Sequence, residues 1–196
     1  MAGPELPVSG QEQPERADAA RNRQRILCAA AELIAAQGAQ AVTMNAVAHR
    51  AGIGVGTVYR RFGDVSKLLF ALLDESEKRF QAAFLTGPPP LGPGAPPAER
   101  LRAFLHALAD HVIDQCEIMR VAEKASPIAR YHGGPYLTMH THVSVLLREA
   151  RPDRDPAVLA HLLLAPFVSS LFDHLTVDRR LTADEIKAAI DGLLPV

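Results

Sequence analysis

Residues 43–62 read TMNAVAHRAGIGVGTVYRRF, a pattern that two short helices joined by a tight turn account for. Thr43 suits an N-cap, where its hydroxyl accepts a hydrogen bond from a backbone N–H one turn on. Met44, Val47, Ala48 and Ala51 recur at helical spacing, and Ala48 is small enough for a second helix to approach closely. Gly52 stands where the chain must reverse, and glycine reaches left-handed backbone angles without steric penalty. Ile53 plugs the corner, and Val58 and Phe62, one turn apart, extend the apolar face along the second helix. Thr57, Arg60 and Arg61 then point away from that face. Two helices crossing at a glycine-containing turn, the second carrying hydroxyl and guanidinium groups outward, form a DNA-binding helix-turn-helix.

The order Thr43, Val47-Ala48, Ala51-Gly52-Ile53, Gly56-Thr57-Val58-Tyr59-Arg60 and Phe62 resembles the N-terminal domain of the tetracycline-repressor (TetR) family of transcriptional regulators, over about residues 21–74. Beyond that, the chain resembles the family in general helical layout, and LLLAPF at 162–167 is similar to the last helices of many members. The resemblance implies a homodimer on a palindromic double-stranded operator, a repressor released by a small-molecule effector, and no cofactor. It assigns Thr43, Tyr59 and Lys67 to phosphates. Val55, Gly56, Thr57 and Arg60 complete the DNA-facing set, with Gly56 admitting the backbone and Val55 and Thr57 meeting base edges or thymine methyls. Two departures matter. Val65 stands where many members carry a phosphate-touching lysine, with Lys67 nearby, and Gly54 replaces a serine that often caps the second helix.

Of the 196 residues, 48% are hydrophobic, enough for one or two compact domains with a substantial core. No apolar run is long enough to span a bilayer, and the Pro-, Glu- and Gln-rich start lacks a signal-peptide pattern. Cys28 and Cys116 have no metal or redox spacing and read as two reduced core thiols of a cytoplasmic protein. Net charge is −1, but it is unevenly spread. Arg16 to Phe62 holds seven arginines against Asp18 and Glu32, whereas residues 63–196 hold fourteen basic and seventeen acidic side chains. The positive field therefore sits on the helix-turn-helix segment, where phosphate contacts need it.

Taken along its length, the chain should be all-α, with about nine helices in an N-terminal DNA-binding domain and a C-terminal bundle. Residues 1–19 read as a disordered tail. Residues 20–64 form the helix-turn-helix domain, whose first helix, about Ala20 to Gln37, has the stripe Ile26, Ala29, Ala30, Leu33 and Ile34 and stops at Gly38. Arg21, Arg23 and Arg25 at its start are equally phosphate contacts or solvated charges. Residues 65–196 form the ligand-binding and dimerisation domain. Asp64 caps a helix over 66–86, and GPPPLGPGAPP at 87–97, with six prolines and three glycines, is a loop. Further helices are expected over 98–115, 117–125, 136–150, 156–177 and 182–194, with RYHGGPY at 130–136 a turn and Pro166 a kink.

The eight histidines show no zinc-binding spacing, and no phosphate loop or nucleophile elbow is present, so neither a metal site nor an enzyme is expected. A small-molecule site is expected where four helices converge, with Phe80, Phe84, Phe104, Leu108, Met119, Met139 and Val143 as apolar lining and His111, Cys116 and His140 as polar groups. A dimer interface is expected from the helical stripe Val158, Leu162, Ala165, Ser169 and Phe172, which with 182–194 would build a four-helix contact.

Overall fold

The computed structural model describes residues 12–125, 131, 133–150 and 153–194. Among them are nine α-helices and no strand, the all-α class expected. They are α1 (Glu12–Gln37), α2 (Met44–Ala51), α3 (Val55–Phe62), α4 (Val65–Thr86), α5 (Pro97–Ala125), α6 (Gly134–Ala150), α7 (Pro156–Leu164), α8 (Ser169–Asp173) and α9 (Ala183–Asp191). The chain forms two compact units, one ending at Leu72 and one beginning at Leu73.

In the first unit, α1 starts at Glu12, eight residues before the expected position, so residues 12–19 are helix and not tail. Pro14 falls in the first turn, where its missing N–H breaks no helical bond. The Ala- and Arg-rich run 16–25 favours helix. Residues 1–11 of the expected tail lie outside the described residues. Of the predicted stripe, Ile26, Ala29, Ala30 and Leu33 are buried and Ile34 is half-buried, and α1 packs on α2, whose Val47 and Ala48 are also buried. Ile26, Val47 and Val58 are fully buried, and each such side chain stabilises the unit by about 1.5–3 kcal/mol. Cys28, expected in the core, is instead exposed on the opposite side of α1. Among its neighbours on the helix, Leu27 and Ala29 are buried and Cys28 is exposed.

In the second unit, the expected break near residue 116 does not occur, and α5 runs unbroken through 29 residues. No glycine or proline interrupts 98–125, and the buried row Leu101, Leu105, Leu108, Val112 continues into Ile118. The stretch expected as one kinked helix over 156–177 is broken in two. Pro166 cannot donate a helical hydrogen bond, residues 165–168 leave the helix, and α7 and α8 diverge by 44°. After α8 the chain widens into a π-helical turn, His174–Asp178, closed by the Arg179 N–H to the His174 carbonyl at 2.9 Å. α9 opens with a capping box between Thr182 and Glu185, which holds the Glu185 carboxyl below its usual range. Ion pairs tie α9 to α5, Arg102 on Asp191 and Lys187 on Asp110, and His106 Nε2 lies 2.8 Å from the same Asp191 carboxylate. The proline-rich loop is anchored by Leu91, which packs on the core. Of the 130–136 turn, Arg130 and His132 lie outside the described residues.

Candidate nucleic-acid interface

The corner between α2 and α3 is fixed at both ends by backbone chemistry. Thr43 Oγ1 accepts the Ala46 N–H at 3.1 Å, so the predicted N-cap is formed. At the other end Gly52 is left-handed (φ 61°), its N–H reaching the His49 carbonyl at 3.2 Å while the Ile53 N–H reaches the Ala48 carbonyl at 3.0 Å. This is the Schellman arrangement that ends a helix on a glycine. Arg25 of α1 adds a third restraint: its Nη2 donates to the Ala51 carbonyl at 2.7 Å and lies 3.5 Å from that of Gly52. Neither sequence reading of Arg25, phosphate contact or free charge, anticipated this role.

From that corner α3 presents one buried and one open face. Val58 and Phe62 are buried, as predicted. Val55 and Tyr59 are 41% and 51% exposed, Arg60 and Arg61 are exposed, and Thr57 is half-buried. Tyr59, Arg60 and Arg61 have no side-chain hydrogen bond or ion pair within the described residues. A methyl group at Gly56 would meet nothing within 4 Å, so its own packing does not require glycine there. Gly54 provides no side-chain cap for α3. Thr43 is exposed. Asp64 caps α4 by accepting the Lys67 N–H at 2.9 Å, a bond that holds the Asp64 carboxyl below its usual range, and the Lys67 ammonium rests 3.4 Å from the same carboxylate. Arg21 pairs with Asp18, and Arg50 with Glu32 at 3.3 Å. The candidate DNA-facing residues Thr43, Val55, Gly56, Thr57, Tyr59, Arg60 and Lys67 thus all belong to the first unit, on or beside α3.

The expected small-molecule lining falls differently. Phe80, Phe84, Phe104, Leu108 and Val143 are buried in the core, with Phe84 and Phe104 edge-to-face at 5.1 Å. Cys116, Met119 and Met139 pack against that core. His111 is occupied by Glu77 at 2.9 Å, His140 by the Ala157 carbonyl at 3.0 Å, and Cys116 by the Ser169 carbonyl at 3.2 Å. A cavity of about 260 Å³ lies instead between α5, α7, α8 and α9, lined by Leu105, Leu163, Pro166, Phe167, Phe172 and Ile190 among other apolar groups, and by none of the ten expected residues. The break at Pro166 makes room for it. No periodicity in the sequence marks it, because it depends on how the bent run from Leu163 to Leu193 folds back on itself and over Leu105 of α5.

The expected interface stripe is split by the same break. Val158 and Leu162 are 55% and 65% exposed and Ala165 is exposed, whereas Ser169 and Phe172 are buried in their own core. The stripe was spaced for one continuous helix, and the 44° change of direction turns its second half inward. Leu171, Val177 and Leu193 are the exposed apolar groups beyond the break. Among the described residues no three His, Cys, Asp or Glu side chains converge as metal ligands, and no single helix is long and apolar enough to cross a membrane.

Residues 26–72 match the family model of bacterial regulatory proteins, tetR family. An HTH-type transcriptional regulator of Staphylococcus aureus (strain bovine RF122 / ET3-1) is 41% identical over 69 residues, which is 35% of this chain and 37% of that protein. The chain thus matches only about a third of the length of such curated relatives. Whole-chain similarity is to solved structures. A transcriptional regulator from Saccharomonospora viridis in complex with choline has a TM-score of 0.70 at 20% identity, covering 88% of this chain and 95% of its own. A protein described as the molecular basis for control of antibiotic production by bacterial hormones has a TM-score of 0.65 at 25% identity, covering 90% and 98%. The matched segment contains the capped corner, the open face of α3 and the start of α4, and over it the chain is similar to the tetR family of bacterial regulatory proteins.

Proposed function

We propose that this chain is a DNA-binding transcriptional regulator, acting as a two-fold homodimer on a palindromic operator and, as a repressor, releasing that operator when a small molecule binds. The observation that carries the reading is the open face of α3, where Tyr59, Arg60 and Arg61 have no partner among the described residues, beside a glycine that internal packing does not require. A duplex approaching from outside accounts for both: the groove needs backbone clearance at Gly56, and the bases and phosphates need donors. Val55, Thr57 and Arg60 are assigned to base edges, and Thr43, Tyr59 and Lys67 to phosphates. The exposed Asp64–Lys67 pair is of the kind that contributes little, so Lys67 exchanges carboxylate for phosphate readily and stands in for the lysine absent at Val65.

The exposed Val158, Leu162, Leu171, Val177 and Leu193 support a second copy as cover for the last helices. The cavity between α5 and α7–α9 supports an effector, and its wholly apolar lining favours an uncharged one. The choline complex of a similarly folded regulator supports ligand responsiveness by analogy. Because α4 begins in the first unit and ends in the second, it is the continuous element through which a ligand would act on the reading head. Such a protein works in the cytoplasm, on the chromosome. The test is selection of genomic fragments by the purified protein, followed by sedimentation. Enrichment of one palindromic sequence bound by two copies is expected. Retention of random fragments, or full affinity in a protein that sediments as a monomer at micromolar concentration, contradicts the reading.

A further inference from the structure

Arg25 of α1 grips the backbone of the helix-turn-helix corner. The last carbonyls of a helix have no intrahelical donors and carry its negative pole. In α2 the Schellman bonds occupy the carbonyls of Ala48 and His49, and the Arg25 guanidinium takes that of Ala51, with Gly52 beside it. The contact spans 26 residues of sequence, and Arg25 directly precedes the buried pair Ile26 and Leu27, so its own backbone is fixed in the core. The gripped carbonyls precede Ile53 and Gly54, from which α3 departs. The same guanidinium stands 3.4 Å from where a side chain at Gly52 would begin, so the corner is closed around it.

We propose that Arg25 is a positioning residue for the recognition helix, acting through the Ala51 and Gly52 carbonyls and not through DNA phosphate. The proposal rests on the reading of residues 43–62 as the DNA-binding element. Without the grip, the start of α3 shifts against α1, and base contacts, which demand the tightest geometry, weaken before phosphate contacts do. The Arg25 Nη2 group carries two N–H donors on a permanently charged, planar head and faces both carbonyls, whereas a lysine keeps the charge without that planar geometry.

The experiment measures Arg25→Met and Arg25→Lys beside the wild type, on the duplex the wild type selects and on a scrambled duplex of equal length, at several salt concentrations, with melting curves. Loss of a charged hydrogen bond at this position should lower affinity for the selected duplex about tenfold in Arg25→Met. Scrambled-duplex affinity and the slope of log affinity against log salt should stay as in the wild type, and Arg25→Lys should recover part of the loss. Should Arg25→Met melt below the assay temperature, Arg25→Gln is measured in its place and the same pattern is expected. Equal weakening on both duplexes, with a salt slope flatter by about 0.9, identifies a phosphate contact and overturns the proposal. A lower melting temperature with unchanged selected-duplex affinity identifies a merely structural role and overturns it too. A wild type that holds both duplexes alike removes the DNA-binding reading, and the assignment with it, before any variant is compared.

Discussion

Thr43 occupies two positions at once: it caps α2 through the Ala46 N–H, and its exposed hydroxyl lies where a phosphate is proposed to pass. Removing the cap in Thr43→Ala should cost about 1 kcal/mol of stability, read as a lower midpoint in urea denaturation. A second single-residue prediction concerns His142, packed 4.6 Å from the Phe84 ring and 5.0 Å from that of Phe104. Burial, and after it the nearby Arg100 cation, push its imidazole down to about 4 from 6.5. The unfolded chain therefore takes up this proton near pH 6.5 and the folded chain only near pH 4. Its contribution is complete above pH 6.5 and is lost as pH falls toward 4, by about 2 kcal/mol after allowance for solvent screening. Denaturation midpoints between pH 7 and 4 should follow that slope, and His142→Leu should flatten it.

At the scale of the element, the local signals were legible and the long-range ones were not. The corner of α2 and α3 could be read because cap, small residues, left-handed glycine and branched plug lie within twenty consecutive positions, each with a local backbone reason. Gly52→Ala should cost about 1–2 kcal/mol through the left-handed angle alone, more than the same change at the open Gly56, and thermal melts of both variants check the difference. The continuity of α5 and the break after α7 were misread for opposite reasons. Near residue 116 the sequence has no glycine or proline to end a helix, and with Ile118 buried α5 continues to Ala125. At Pro166 a kink was expected, but a full break reoriented Ser169 and Phe172 from the expected interface into the core. Arg25 escaped notice because its partners lie 26 residues away, beyond the reach of any helical periodicity.

For the whole molecule, the central claim is that the open face of α3 reads a specific duplex. Of the candidate DNA-facing residues, Val55, Gly56, Thr57, Tyr59 and Arg60 could be grouped from sequence because they share one short amphipathic helix, with Thr43 capping α2 and Lys67 on α4. The cavity between α5 and α7–α9 could not, because it depends on how four helices meet. The most direct measurement is the affinity of Tyr59→Ala/Arg60→Ala for the duplex selected by the wild type, at fixed salt. Both side chains are exposed and unpartnered, so the fold should survive the change. The loss of one base-reading group and one phosphate contact should weaken binding by about 2–4 kcal/mol, a drop of at least tenfold, with an unchanged melting temperature. Wild-type affinity in that folded double variant would contradict the account.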